Sequence, residues 1–141
     1  MADAVRLRIL VIEDSPTLLA LMHAVLREAG HVVLSPGGRS AAATLREDRP
    51  DLVFLAGWET ADEFFAAQNA EDALKTIPVV ALGLPQIAAD GRPRPVEIVD
   101  VLPKPFSPDA LLAAVEHVRV QRANEAAARA RAEESDATAN T

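Results

Sequence analysis

Three short aliphatic runs constrain this chain more than any other feature of its sequence. Leu7 to Ile12, Asp51 to Ala56 and Ile77 to Leu82 are each strand-sized, rich in Val, Ile and Leu, and largely continuous instead of alternating. A strand of that kind is covered on both faces, as in a parallel sheet with helices on either side. Val32 to Leu34 and Glu97 to Leu102 supply two further strands. Between the first two long runs, Leu18, Met22, Val25, Leu26 and Ala29 recur at helical spacing behind Ser15 and Pro16, with Gly30 after them. Serine caps a helix N-terminus, proline suits its first position and glycine its left-handed C-terminal residue, so a helix spans about Pro16 to Ala29. Ser40 to Glu47 reads as a short helix behind the Pro36, Gly37, Gly38 turn. Ala61 to Leu74, carrying Phe64, Phe65 and Leu74, reads as the next, although Gln68 and Asn69 weaken its apolar stripe. Ser107, Pro108 and Asp109 open a final helix that buries Leu111, Leu112, Val115 and Val118. Strands and helices alternating at these lengths predict an α/β, doubly wound five-stranded parallel sheet. Polar groups that matter in such a sheet gather beyond the carboxyl ends of its strands.

The alternation falters once. Gly83, Pro85, Gly91, Pro93 and Pro95 crowd the stretch where a fourth helix belongs. Proline removes a donor and clashes with the preceding turn, so that helix is shortened to about Gln86 to Asp90 or replaced by loop. The chain divides into a lead over 1–6, one domain over 7–120, an Ala/Arg/Glu-rich helical extension over 121–134 and a tail over 135–141 whose composition reads as disordered. The apolar runs fall well short of the roughly 20 residues that cross a bilayer. The N-terminus has no apolar core behind a basic head, so it does not read as a secretion signal, and a cytoplasmic location is expected. Without cysteine there is no disulfide or thiolate metal site. A formal charge of −7 repels polyphosphate at long range, so DNA is not an expected partner and neither is a membrane.

At the end of the first strand stand Glu13 and Asp14, a plausible hard-cation pair that in isolation reads equally well as a solvated turn. Lys104, after the fifth strand, puts one ammonium at the same edge. In order along the chain, Val11-Ile12-Glu13-Asp14-Ser15-Pro16, Pro50-Asp51-Leu52-Val53-Phe54-Leu55, Ile77-Pro78-Val79-Val80-Ala81-Leu82 and Lys104-Pro105-Phe106 resemble the receiver domains of two-component response regulators, over about Arg6 to Val120. The resemblance implies the flavodoxin-like receiver fold, a cis bond before Pro105, and roles for Asp14 as main magnesium carboxylate, Glu13 as its helper and Lys104 as the phosphoryl-contacting lysine.

The same resemblance puts Ala56 where the family has its phosphorylated aspartate, Gly83 where it has a Ser or Thr, and Val101 where it has an aromatic switch residue. The pattern is that of a degenerate pseudo-receiver. No catalytic residue and no turnover are expected. Magnesium, if bound at Asp14 and Glu13, should be held weakly, since one carboxylate ligand is missing and a further ligand in the family is a backbone carbonyl that would here be that of Trp58. With no phosphoryl group between them, Lys104 and Asp14 are expected to pair.

The function these features imply is phosphorylation-independent, stand-alone binding of another signalling protein, such as a histidine kinase or phosphotransferase. Arg92, Arg94 and Trp58 are the candidate partner contacts, with the outer face of the first helix, including Arg27 and Glu28, as a competing site. One alternative is a cyclic di-GMP effector using Arg92, Arg94, Arg119 and Arg122. Another is a receiver phosphorylated on a substitute carboxylate, Glu59 or Asp62. His23, His31 and His117 lack metal-ligand spacing and are expected to pack or face solvent. Ala123, Ala126, Ala127 and Ala130 form a narrow small-residue stripe suited to a partner helix or to plain solvation.

Overall fold

Every long aliphatic run is a strand, and every serine chosen as a cap is one. The computed structural model describes residues 6–56, 61–83 and 98–139. In chain order the elements are β1 (Arg8–Ile12), α1 (Pro16–Glu28), β2 (Val32–Leu34), α2 (Ala41–Asp48), β3 (Leu52–Ala56), α3 (Ala61–Ala70), α4 (Asp72–Lys75), β4 (Val79–Leu82), β5 (Ile98–Leu102) and α5 (Pro108–Ala139). The Oγ atoms of Ser15, Ser40 and Ser107 accept from the backbone N–H of Leu18, Ala43 and Ala110, satisfying donors that the first helical turn leaves unpaired. Gly30 follows α1 with φ +98°, a conformation in which a side chain is strained.

The strands lie in the order β2-β1-β3-β4-β5 and every neighbouring pair is parallel. Side chains alternate across the sheet, and each face is sealed by its own helices. Ile9, Val11, Leu52, Phe54, Val80 and Leu82 pack against Met22 and Leu26 of α1 and Leu111, Val115 and Val118 of α5. Leu10, Ile12, Val53, Leu55, Val79 and Ala81 pack against Leu45 of α2, Phe64 and Phe65 of α3 and Leu74 of α4. This is the doubly wound layer that the sequence predicts. Among the described residues no helix is long and apolar enough to cross a membrane.

Two readings change. The single helix expected over Ala61 to Leu74 is two, because Glu71 is extended and gives its carboxylate to Arg49 at 2.8 Å. Gln68, read as a flaw in the apolar stripe, is fully buried, and its amide donates to the carbonyls of Leu74 and Ile77 at 3.2 and 2.8 Å across that break. The final helix also runs unbroken from Pro108 through the 121–134 extension to Ala139, five residues into the stretch whose composition reads as disordered. The shortened or missing helix near Gln86 to Asp90, together with Trp58, Glu59, Arg92 and Arg94, lies outside the described residues.

Candidate functional site at the carboxyl edge of the sheet

Because all five strands are parallel, their carboxyl ends meet along one edge, and the register fixes what meets there. Ile12 stands beside Leu55, Ala56 beside Leu82, and Leu82 beside Leu102. Glu13, Asp14, Gly83 and Lys104 therefore come from three separate strands onto one corner. The N–H of Gly83 donates to the Leu102 carbonyl at 2.8 Å, which extends the β4–β5 ladder by one rung. The Lys104–Pro105 peptide is cis, as the resemblance implies.

Lys104 does not pair with Asp14. Its Nζ lies 2.6 Å from Oε1 of Glu13, whose other oxygen accepts from the N–H of Ser15 at 3.0 Å. The Glu13 side chain is 4% exposed and that of Lys104 37%, so the pair has one buried and one partly wet member. Consecutive residues leaving a strand point to opposite sides, and Glu13 is the one that turns inward. Asp14 is exposed and lines a separate groove of about 280 Å³ with Pro36, Arg39, Ser40 and Glu63. At that groove Arg39 bridges to Glu47 and Asp48 and donates to the carbonyls of Ser35 and Pro36, tying the β2–α2 loop to the helix after it. Its hydrogen bonds to Asp48 and Glu47 hold its guanidinium even more firmly protonated than usual, and in return hold the Asp48 carboxyl below its ordinary range.

Gly83 explains how Lys104 reaches Glu13. It has φ +63°, and a Cβ built on it would lie 2.8 Å from both Cγ and Cδ of Lys104. The lysine stem therefore lies across the glycine, in space that any larger residue would claim. Ala56, at the end of β3, is half-buried and packs into the α1/α5 side of the core. Val101 is half-buried against the opposite side. The sequence named all these positions, but the contact of Gly83 with Lys104 had no signal in it, since nothing in a residue string gives the path of a side chain.

Could this corner hold a divalent cation? Such an ion takes oxygen ligands, several from protein carboxylates and carbonyls. Here Ala56 supplies none, Glu13 is already engaged, and among the described residues no three carboxylate or imidazole groups converge. The described side chains therefore do not make a complete cation site.

The other candidates separate in space. Arg119 and Arg122 are brought together at the amino edge of the sheet, around a cleft of about 450 Å³ shared with Arg6, Leu7, Asp51 and Ala123. Both are engaged: Arg119 with Glu116, and Arg122 with the carbonyl of Asp51 at 2.7 Å and its carboxylate at 3.7 Å. Nearby, Nδ1 of His31 accepts from the N–H of Leu7 at 3.1 Å, while burial, and then the charge of Arg119, lowers its pKa. His23 meets Ser35 Oγ at 3.0 Å and is lowered by burial and by Arg27. His117 is exposed.

A five-stranded parallel sheet in this order is the fold of receiver domains, and here an acidic corner and a lysine after β5 stand at its carboxyl edge. No protein-family model matches the chain. The DNA-binding response regulator MtrA of Mycolicibacterium smegmatis is 33% identical over 122 residues, covering 80% of this chain and 50% of MtrA. The chain thus spans about half the length of the curated relatives it matches. The chemotaxis response regulator CheY4 of Vibrio cholerae superposes with a TM-score of 0.66 at 24% identity, over 81% of this chain and 99% of that one. The receiver domain of the sensor histidine kinase PA1611 of Pseudomonas aeruginosa, which carries magnesium in its active-site cleft, gives 0.64 at 20% identity over 80% and 97%. The homologues and structural neighbours of this chain are response-regulator receiver domains, and the chain has their fold.

Proposed function

We propose that this chain is a degenerate receiver of bacterial two-component signalling that acts in the cytoplasm by binding a partner protein, without phosphorylation and without turnover. The observation that carries the reading is the closed corner. The position matching the phosphoacceptor is Ala56, a methyl that cannot attack an acyl phosphate, and the lysine that would meet a phosphoryl group is instead laid over Gly83 and paired with Glu13. Arg92, Arg94 and Trp58, with the β5 side of the domain, remain the proposed partner contacts, and a histidine kinase or phosphotransferase the proposed partner class. Magnesium is expected to bind weakly, in the millimolar range or worse, since among the described residues Glu13 is already paired with Lys104 and no three acidic or imidazole groups converge.

Incubation with acetyl phosphate and magnesium, followed by intact mass measurement at neutral pH, tests the central claim. No added phosphoryl mass is expected. A hydroxylamine-labile adduct, on Glu59 or Asp62 for instance, would overturn it.

A second reading, binding of cyclic di-GMP, has the amino-edge cleft with Arg6, Arg119 and Arg122 in its favour. The existing partners of Arg119 and Arg122 weigh against it, because a ligand would have to displace Glu116 and Asp51. Saturable amide shifts on titration, lost in Arg119→Ala and Arg122→Ala, would raise this reading above the first.

A further inference from the structure

The sheet has two free edges, and they differ in risk. An edge strand shows unpaired N–H and C=O groups on its open side, which makes it a template for another strand. One edge is β2, with only three residues. The other is β5, with five, and among the described residues it pairs with β4 alone. Ile98, Val99, Val101 and Leu102 are apolar, three of them β-branched, and Val99 is 42% exposed. By length and composition β5 is the edge on which a second strand would grow.

Two features interrupt it. Val79 stands opposite Ile98 and Val80 opposite Asp100, so Val99 is an extra residue that breaks the even spacing of the ladder. Asp100 is the second. The Gly83 N–H donates to the Leu102 carbonyl, so Leu102 turns its backbone toward β4, and Val101, one residue back, turns its own N–H to the free side. Oδ1 of Asp100 accepts that N–H at 2.8 Å. The donor that an incoming strand needs is therefore taken. Its acceptor is a half-buried carboxylate, whose charge such a strand would cover at a cost. Aspartate is a poor strand residue because its short side chain competes for neighbouring backbone groups, and here that competition falls on the N–H that the edge exposes.

We propose that Asp100 guards the β5 edge: by capturing the Val101 N–H and holding a charge beside it, it keeps the β5 strand of a second copy from pairing there. A second copy is the strand most at hand, since every molecule carries the same edge and an antiparallel pair about a twofold axis matches it to itself. Where the β5 side receives the partner proposed above, which is a separate reading, that partner is held through side chains and not as an added strand.

Asp100→Thr removes the guard while improving strand propensity, so the fold should hold, with a urea midpoint no lower than that of the parent chain. Sedimentation velocity over a wide concentration range should then show the mass rising from 15.0 kDa toward twice that value. Two freed N–H groups, one per copy, correspond to association about thirtyfold tighter than that of the parent. Amide exchange at Val99 and Val101 should slow as the concentration rises, which places the contact at β5. Asp100→Asn keeps an oxygen for the Val101 N–H and loses only the charge, so its gain should be present but smaller; being isosteric, it also keeps the test open if threonine disturbs the fold. The proposal is overturned if Asp100→Thr sediments as the parent does at every concentration, or associates without slowing those two amides. It is equally overturned if Asp100→Asn associates no more tightly than the parent, or as tightly as Asp100→Thr. Only the chain itself is needed, so a failure here leaves the absence of phosphorylation untouched.

Discussion

The two edges of the sheet use the same side chains for different work. At the amino edge, ionic and imidazole groups join segments far apart in sequence: Arg122 to Asp51, Arg49 to Glu71, His31 to the backbone of Leu7. At the carboxyl edge Glu13 and Lys104 also come from opposite ends of the domain, but they meet over a glycine in the left-handed region, with one oxygen of a buried carboxylate committed to one ammonium. The first arrangement is distributed, with exposed pairs worth little each. The second is concentrated, so that one substitution disturbs backbone, packing and charge together. The difference teaches where an ionic pair is a fastening and where it is part of a site.

The largest effect should come from Gly83→Thr. A β-branched residue at φ +63° is strained, and its Cβ collides with the Lys104 stem, so the two costs of about 1–3 kcal/mol each should together remove about 3 kcal/mol in urea unfolding. The additional change Lys104→Ala removes the colliding atoms, so the double variant should lose less than the sum of the two single changes. Full additivity would break the claim that the glycine and the lysine form one unit.

A smaller loss is expected at the other edge. Arg122→Ala gives up a hydrogen bond to the Asp51 carbonyl and should cost about 1 kcal/mol, with the far half of α5 exchanging its amide protons faster. A loss as large as that of Gly83→Thr would erase the contrast between concentrated and distributed edges.

Smallest is the pH response. Burial lowers the folded-state pKa of His31 and His23 below the ordinary 6.5, so the unfolded chain binds protons more readily on acidification. Their stabilising contribution is complete above about pH 6.5 and is lost as the pH falls through and below that value. Urea midpoints should therefore drop between pH 7.5 and 5.5, and His31→Gln should flatten part of the slope. An unchanged slope in that variant would remove His31 from the amino-edge fastenings.

Much of this was legible in the residues. Continuous aliphatic runs declare buried strands because a strand covered on both faces has no polar side to show, and Ser15 with Pro16, and Ser107 with Pro108, declare helix starts through donors that need acceptors. The misread parts share one physical cause. Gln68 looks unsuited to a core in a string but is buried because its amide N–H groups donate to two carbonyls, and the break at Glu71 depends on Arg49, twenty-two residues away. Likewise Glu13 and Asp14 are equal as letters, and only the turn into α1 decides which of them faces Lys104.

The lysine stem across Gly83 also bears on which substitutions the corner accepts. An aspartate at position 56 would set a carboxylate at an edge where the ammonium of Lys104 is already paired with Glu13, and position 83 has no room for even a methyl group. Any larger residue at 83 strains the backbone and pushes the lysine aside. Positions 83 and 104 are therefore coupled, and the corner tolerates changes made together sooner than changes made one at a time.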